Sequence, residues 1–360
     1  MREIADLAGV SVMTVSLALR NHARIAEKTR TRIQEIATRL GYRPHPYVSA
    51  LMASLKASRN RSPGATATLA VIFHFPRTTL ASRTFMNSVY QGMRQRTAQL
   101  GFGLDVFYRN ETGHRTSQID RIFKARGIRG VIVGPTEGVE TKLEYSLDWS
   151  HYALSTFGFS LRTPELHRAA SFTYHSVRFA YHELWQRGYR RVGLVNTRTM
   201  HYRVDGNWRA GFYEAQTDHM GRVLPAAVLM SEDQTEFLRW MKRFRPDAIL
   251  CNNGAELKWL KSAGLRVPED VGLATLSPLE PKELAFFAGV DQRENAIGAA
   301  TVDIVVEQLN TNSFGLPLVP KTVMIECAWR DGPSIRGRLE VAPTSTHSRR
   351  ALANDQRQSL

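Results

Sequence analysis

Apolar residues in the first forty positions recur at helical spacing in three short runs. Ile4, Ala5 and Ala8 share one face of a helix over 2–8. Gly9 interrupts that helix where a left-handed residue is needed. Ser11 can cap a second helix over 12–20, whose inward face is Val15, Ala18 and Leu19. A third helix over 27–40 presents Ile33, Ile36, Ala37 and Leu40 and ends at Gly41. Three short helices with a tight Ala8-Gly9-Val10 turn match a helix-turn-helix plan. The same spacing also fits a small basic helical cap.

Farther along, Pro46 suits the first position of a helix carrying Val48, Leu51, Met52 and Leu55 as an apolar stripe. The run 58–64 reads as a linker. From Thr68 the pattern alternates strand-like runs (TLAVIFHF, GLDVFY, GVIVG, ALSTF) with amphipathic stretches over 83–100 and 116–126. It restarts with RVGLVN, AAVLM, DAILC and DVGLATL. Two βα cycles predict two similar lobes with parallel sheets. Residues 337–360 lack an apolar period and read as a disordered tail.

Charge sharpens this picture. The 360-residue chain carries a formal net charge of +15. Its first 61 residues hold eleven Lys or Arg against four Asp or Glu, so about half the excess sits in a sixth of the length. Such concentration points to a polyanion, and the absence of a large apolar helix face favours nucleic acid over a membrane surface. Neither a bilayer-spanning run nor an export signal is evident, and a cytoplasmic, nucleoid-associated protein is expected. Cys251 and Cys327 stand far apart and suggest neither a disulfide nor a metal site.

The run IADLAGVSVMTVSLAL, followed by KTRTRIQEIATRLGYRPHP, closely resembles the DNA-binding domain of the LacI/GalR (lactose-repressor) family. The resemblance places Val12, Met13 and Leu17 at base-reading positions and Thr14, Ser16 and Arg30 at phosphates, with Arg20 and Tyr42 also at the DNA. Leu17 stands where the family usually has Arg, the residue suited to a bidentate pair with guanine. An apolar trio reads thymine methyls and groove shape, so the expected operator is less guanine-dependent. The stripe around Leu51 resembles the family's hinge helix, in which Leu51 would wedge into the minor groove. The first helix lacks the capping Thr usual in the family, which suggests a start upstream of Met1.

LWQRGYRRVGLV, RAGFYEA, RPDAILCNNG and GLRVPEDVGLATL resemble the family's effector domain, which has a periplasmic-binding-protein-like fold. The implied organisation is a helix-turn-helix domain over 1–45 and a hinge and linker over 46–64. An N-lobe would comprise 65–158 with 292–318, and a C-lobe 159–291 with 319–336. In such folds the ligand lies between the lobes at the C-terminal ends of strands. Motif matching places Phe75, Arg109, Phe157, Tyr202, Trp208, Asn253, Gly254, Asp291 and Gln292 there. Gly254 replaces a common Asp, Trp208 a common Arg and Phe157 a frequent Asp, exchanging charged hydrogen bonds for aromatic faces. A sugar or related metabolite is the implied effector, and a homodimer on an inverted-repeat operator the implied assembly. The same residues also fit a cleft that takes a less polar metabolite or stays closed, with Trp208 and Phe157 as core packing.

No phosphate-binding, hydrolase or metalloprotease motif occurs, so no enzyme and no cofactor is expected. Two alternatives stand beside a regulator. A ligand carrier would need an export signal and no basic head. An architectural DNA-binding protein would bind all duplexes equally, with steep salt dependence.

Overall fold

Where apolar side chains recur every third or fourth residue the chain coils, and where they run together it extends. The computed structural model describes residues 1–19, 25–42, 67–82, 84–108, 116–136, 147–252, 254–277 and 285–337. It divides into two units, Met1–Ala65 and Thr66–Leu360.

In the first unit, helices α1 (Arg2–Ala8), α2 (Val12–Ala18) and α3 (Glu27–Arg39) enclose Ile4, Ala5, Ala8, Val15, Ala18, Ile33 and Ala37. Four of these seven are alanines, which lets short helices approach closely around the three larger side chains. Arg32 reaches from α3 to the Ala8 carbonyl (2.5 Å), satisfying an acceptor that the end of α1 leaves open. Leu40, expected in this core, caps α3 instead and is exposed, because the chain turns at Gly41.

Among the described residues the second unit holds two six-stranded sheets. The first has the order β11-β5-β4-β3-β1-β2 and is parallel throughout. Its strands are β1 (Ala67–Phe73), β2 (Phe102–Tyr108), β3 (Gly130–Val133), β4 (Ala153–Phe157), β5 (Arg168–Ser171) and β11 (Thr322–Ile325). Helices α4 (Arg77–Ser82), α5 (Thr84–Gln99), α6 (Thr116–Arg126) and α12 (Glu294–Thr311) accompany it. The Gln308 side chain fixes α12 to β4 by accepting from the Leu154 N–H (3.0 Å) and donating to its carbonyl (2.8 Å).

The second sheet has the order β12-β10-β9-β8-β6-β7, parallel except for the β10/β12 pair. It comprises β6 (Val192–Asn196), β7 (Val228–Met230), β8 (Ala248–Cys251), β9 (Gly272–Thr275), β10 (Ala288–Asp291) and β12 (Ala328–Arg330). Helices α7 (Thr173–Gln186), α8 (Arg198–Arg203), α9 (Asn207–Met220), α10 (Gln234–Phe244) and α11 (Glu256–Ser262) belong to it. Buried Arg187 pairs with Glu183 (2.5 Å) and Asp331 and lies over the Trp329 ring, tying α7 to the last strand.

Two lobe boundaries differ from the expected ones. β5 and β11 bond to each other in the first sheet, so the outward crossing follows Ser171 rather than residue 158, and the last follows Ile325 rather than 318. Both strands have only four residues, too few for their alternation to stand out from neighbouring loop. The two crossings run together. Phe172 donates its N–H to the Ile325 carbonyl (2.9 Å), and His175 pairs with Glu326 (2.8 Å). The third crossing lies between β10 and α12.

The expected hinge helix with Leu51, residues Arg20, Arg109 and Asn253, and the tail over 338–360 lie outside the described residues.

Candidate functional site

The reader is assembled locally. Gly9 takes φ 60°, which an L side chain adopts only at a cost, and the chain reverses there without lengthening the turn. Ser11 then stands extended at φ −69° and ψ 153°, and its Oγ accepts the Thr14 N–H at 3.0 Å. That cap orients α2 so that Val15 and Ala18 enter the core while Val12 and Met13 face outward, 39% and 71% exposed. Thr14, Ser16 and Leu17 are half-buried between these faces. Arg30 lies on α3 with its guanidinium 3.8 Å from Glu27, an exposed pairing of little strength. Tyr42 packs its ring against the three-helix core and donates its N–H to the Ala37 carbonyl (2.9 Å). The outward surface of α2 therefore offers apolar atoms at its centre and hydroxyls beside them.

The effector candidates divide differently. Phe75 and Phe157 are buried in the first lobe's core, where Phe75 stacks on Phe73 with centroids 4.9 Å apart. Trp208 is buried in the second lobe's core, and its Nε1–H has no partner among the described residues. Tyr202, on α8, is exposed. Gln292 donates its amide to the Leu276 carbonyl. Asp291 accepts the Arg293 N–H (2.8 Å), fixing the turn into α12. Gly254 has φ 75°, and a Cβ there would stand 2.7 Å from the Phe287 ring. Backbone conformation and a fixed aromatic neighbour thus both exclude a carboxylate side chain at that position.

Residues that the sequence did not single out share the same edges. Thr156 in β4, Ser171 ending β5, Asn196 ending β6 and Thr275 ending β9 are buried, and each has a side-chain polar atom without a partner among the described residues. Asn196 uses its Oδ1 to accept the Thr197 N–H (2.8 Å), leaving its amide N–H unmatched. Because all four strands run parallel within their sheets, these groups lie toward the C-terminal edges, where βα folds bind ligands. A buried polar atom without a partner costs stability, so these strand-end groups, two in each sheet, are candidates to meet a ligand. The available signal was weak: in RVGLVN it is one terminal Asn after an apolar run.

Neither thiol is a nucleophile at neutral pH. Burial, reinforced by the Glu256 carboxyl, pushes the Cys251 thiol well above its ordinary range, and burial pushes Cys327 up to about 11. Among the described residues no group of three or more His, Cys, Asp or Glu is placed to hold a metal ion, and no helix is long and apolar enough to cross a membrane.

Residues 1–45 match the family model for bacterial regulatory proteins of the lacI family, and residues 181–329 match that for the periplasmic binding protein-like domain. The HTH-type transcriptional repressor PurR of Aliivibrio salmonicida (strain LFI1238) is 22% identical over 324 residues, covering 86% of this chain and 92% of the relative. Among solved structures, the transcriptional regulator CelR–cellobiose complex is similar at 17% identity and TM-score 0.56, covering 92% of this chain and 98% of that one. The lac repressor dimer bound to operator and the anti-inducer ONPF is similar at 16% identity and TM-score 0.56, covering 93% and 98%. With the lacI-family model matched over residues 1–45 and the periplasmic-binding-protein-like model behind it over 181–329, the chain belongs to the LacI family of DNA-binding transcription regulators.

Proposed function

We propose that the protein is a homodimeric repressor that binds an inverted-repeat operator through α2 and responds to a small molecule held between its lobes. The observation that carries the reading is the Ser11-capped α2, which turns Val12 and Met13 outward on a basic head joined to a two-lobed α/β domain. Two such heads related by a two-fold axis suit a palindromic site. With Leu17 in place of a guanine-pairing Arg, the preferred half-site is rich in thymine where α2 enters the groove.

Similar proteins support a sugar-type effector. One is described as a cellobiose complex, and a CcpA of Weissella paramesenteroides, 14% identical, as carrying bound glucose. The unmatched polar atoms of Thr156, Ser171, Asn196 and Thr275 suit a neutral ligand bearing several hydroxyls. Effector and operator then change each other's affinity by the same factor, through the angle between lobes.

Selection of genomic fragments on the purified protein tests this reading, followed by titration of the best fragment against scrambled DNA at fixed salt. A palindrome bound about a thousandfold more tightly is the expected result. Equal affinity for every duplex would replace the repressor with an architectural protein.

A further inference from the structure

We infer that Arg162 and Asp205 form an interlobe latch that sets the resting angle between the two lobes. Arg162 stands in the connection from β4 to β5, in the first lobe. Asp205 stands between α8 and α9, in the second. Their side chains meet at 2.5 Å (Nη2 to Oδ1), and each is about half exposed.

The backbone under Asp205 argues that the carboxylate is placed there for a purpose. Val204 ends α8, and the chain turns through two successive left-handed residues, Asp205 at φ 52° and Gly206 at φ 72°. Asp205 donates its N–H to the Tyr202 carbonyl (3.1 Å) and Gly206 to that of His201 (2.8 Å), closing the helix end. Glycine serves such positions without strain, whereas an Asp incurs a conformational cost. The turn needs no side chain, so what Asp adds over Gly is its charge.

The surroundings favour that charge. Arg168, whose guanidinium donates to the carbonyls of Gly158 (3.1 Å) and Leu161 (3.2 Å), lies within electrostatic reach of both Asp205 and Arg162. His201 feels Asp205 from within the second lobe. Arg162 thus pairs with a carboxylate of the second lobe, and Arg168, whose first carboxylate neighbour is Glu165 of its own lobe, adds a longer-range attraction. An ion pair this exposed is weak, yet a two-lobed protein is balanced between states that a weak bond can bias.

The role in regulation rests on the proposed repressor reading; the latch itself can be tested without it. Hydrogen exchange is measured on the full-length protein and on Asp205→Gly and Asp205→Asn, both of which suit the left-handed turn. Faster exchange over 158–163, in the opposite lobe, is expected in both variants, and in the parent protein when salt rises from 0.05 to 0.5 M. Change confined to 202–206, or none, overturns the latch.

Where an operator has been selected, Arg162→Gln and Asp205→Asn should each alter its Kd by about twofold to fivefold in the same direction, with the double variant no further shifted. Independent effects that multiply would overturn the coupling. Absence of a specific operator would count against the repressor reading and leave the exchange result to decide the latch.

Discussion

The reader head and the two-lobed sensor expose their candidate residues in opposite ways. On α2, Val12 and Met13 are apolar and face outward, while Val15 and Ala18 of the same helix enter the core. In the lobes, Phe75, Phe157 and Trp208 are apolar and face inward, and exposed Tyr202 is the exception. A seven-residue helix has a core face and a free face, and the free face is available for recognition. A strand covered on both sides has no free face until its C-terminal end. In the proposed reading, recognition in the sensor falls to the polar residues that finish strands, not to the rings that fill them.

Substitutions can break or sharpen this contrast. The largest effect is expected from Trp208→Ala, which removes a fully buried indole from the second lobe and should cost about 3–5 kcal/mol in urea unfolding. Trp208→Phe should recover most of that loss. A Trp208→Ala protein as stable as the parent would show that the indole fills a ligand space and not a core.

Ile33→Ala should cost about 2–5 kcal/mol and melt the head, whose core holds few large side chains. Circular dichroism of the residue 1–65 unit within the full chain, followed by limited proteolysis, checks this; a head that stays resistant would contradict its dependence on Ile33.

Acid should act next, and on the lobes. Burial lowers the pKa of His167, His201 and His219 below the ordinary 6.5. The unfolded chain then takes up protons before the folded one, so stability is complete above about pH 6.5 and declines as pH falls below it. A Tm that falls from pH 7.5 to pH 5.5 is expected, and a smaller fall in His219→Gln. A rising Tm would reverse the assignment.

The smallest effect on stability belongs to Met13→Ala, within about 0.5 kcal/mol because the side chain is exposed. Operator affinity should nonetheless drop about tenfold, the cost of one lost base contact. Loss of affinity only in parallel with loss of fold would place Met13 in the structure and not in the reading.

Much of the architecture was legible because it is written in short periods. The Gly9 turn, the Ser11 cap and the Val15 and Ala18 face depend on residues within four positions of one another, and the βα rhythm on runs of apolar residues. The four-residue strands β5 and β11 escaped notice because each becomes a strand only by pairing with the other and, for β5, with β4. The lobe boundaries moved for that reason.

The sensing site was legible only in part. Its location at strand ends follows from parallel topology, but the use of each side chain does not. Gln292 donates to the Leu276 carbonyl, Asp291 accepts from its own turn, and Gly254 is held to glycine by φ 75° and the Phe287 ring. Arg162 and Asp205, forty-three positions apart, meet at 2.5 Å across the lobes. Sequence by itself determined the local elements of this protein, the basic head and the family pattern, since these rest on neighbours in the chain. Tertiary structure alone decided which polar atoms remain unmatched and which charges meet, because hydrogen bonds and ion pairs are set by distances in space that no spacing along the chain encodes.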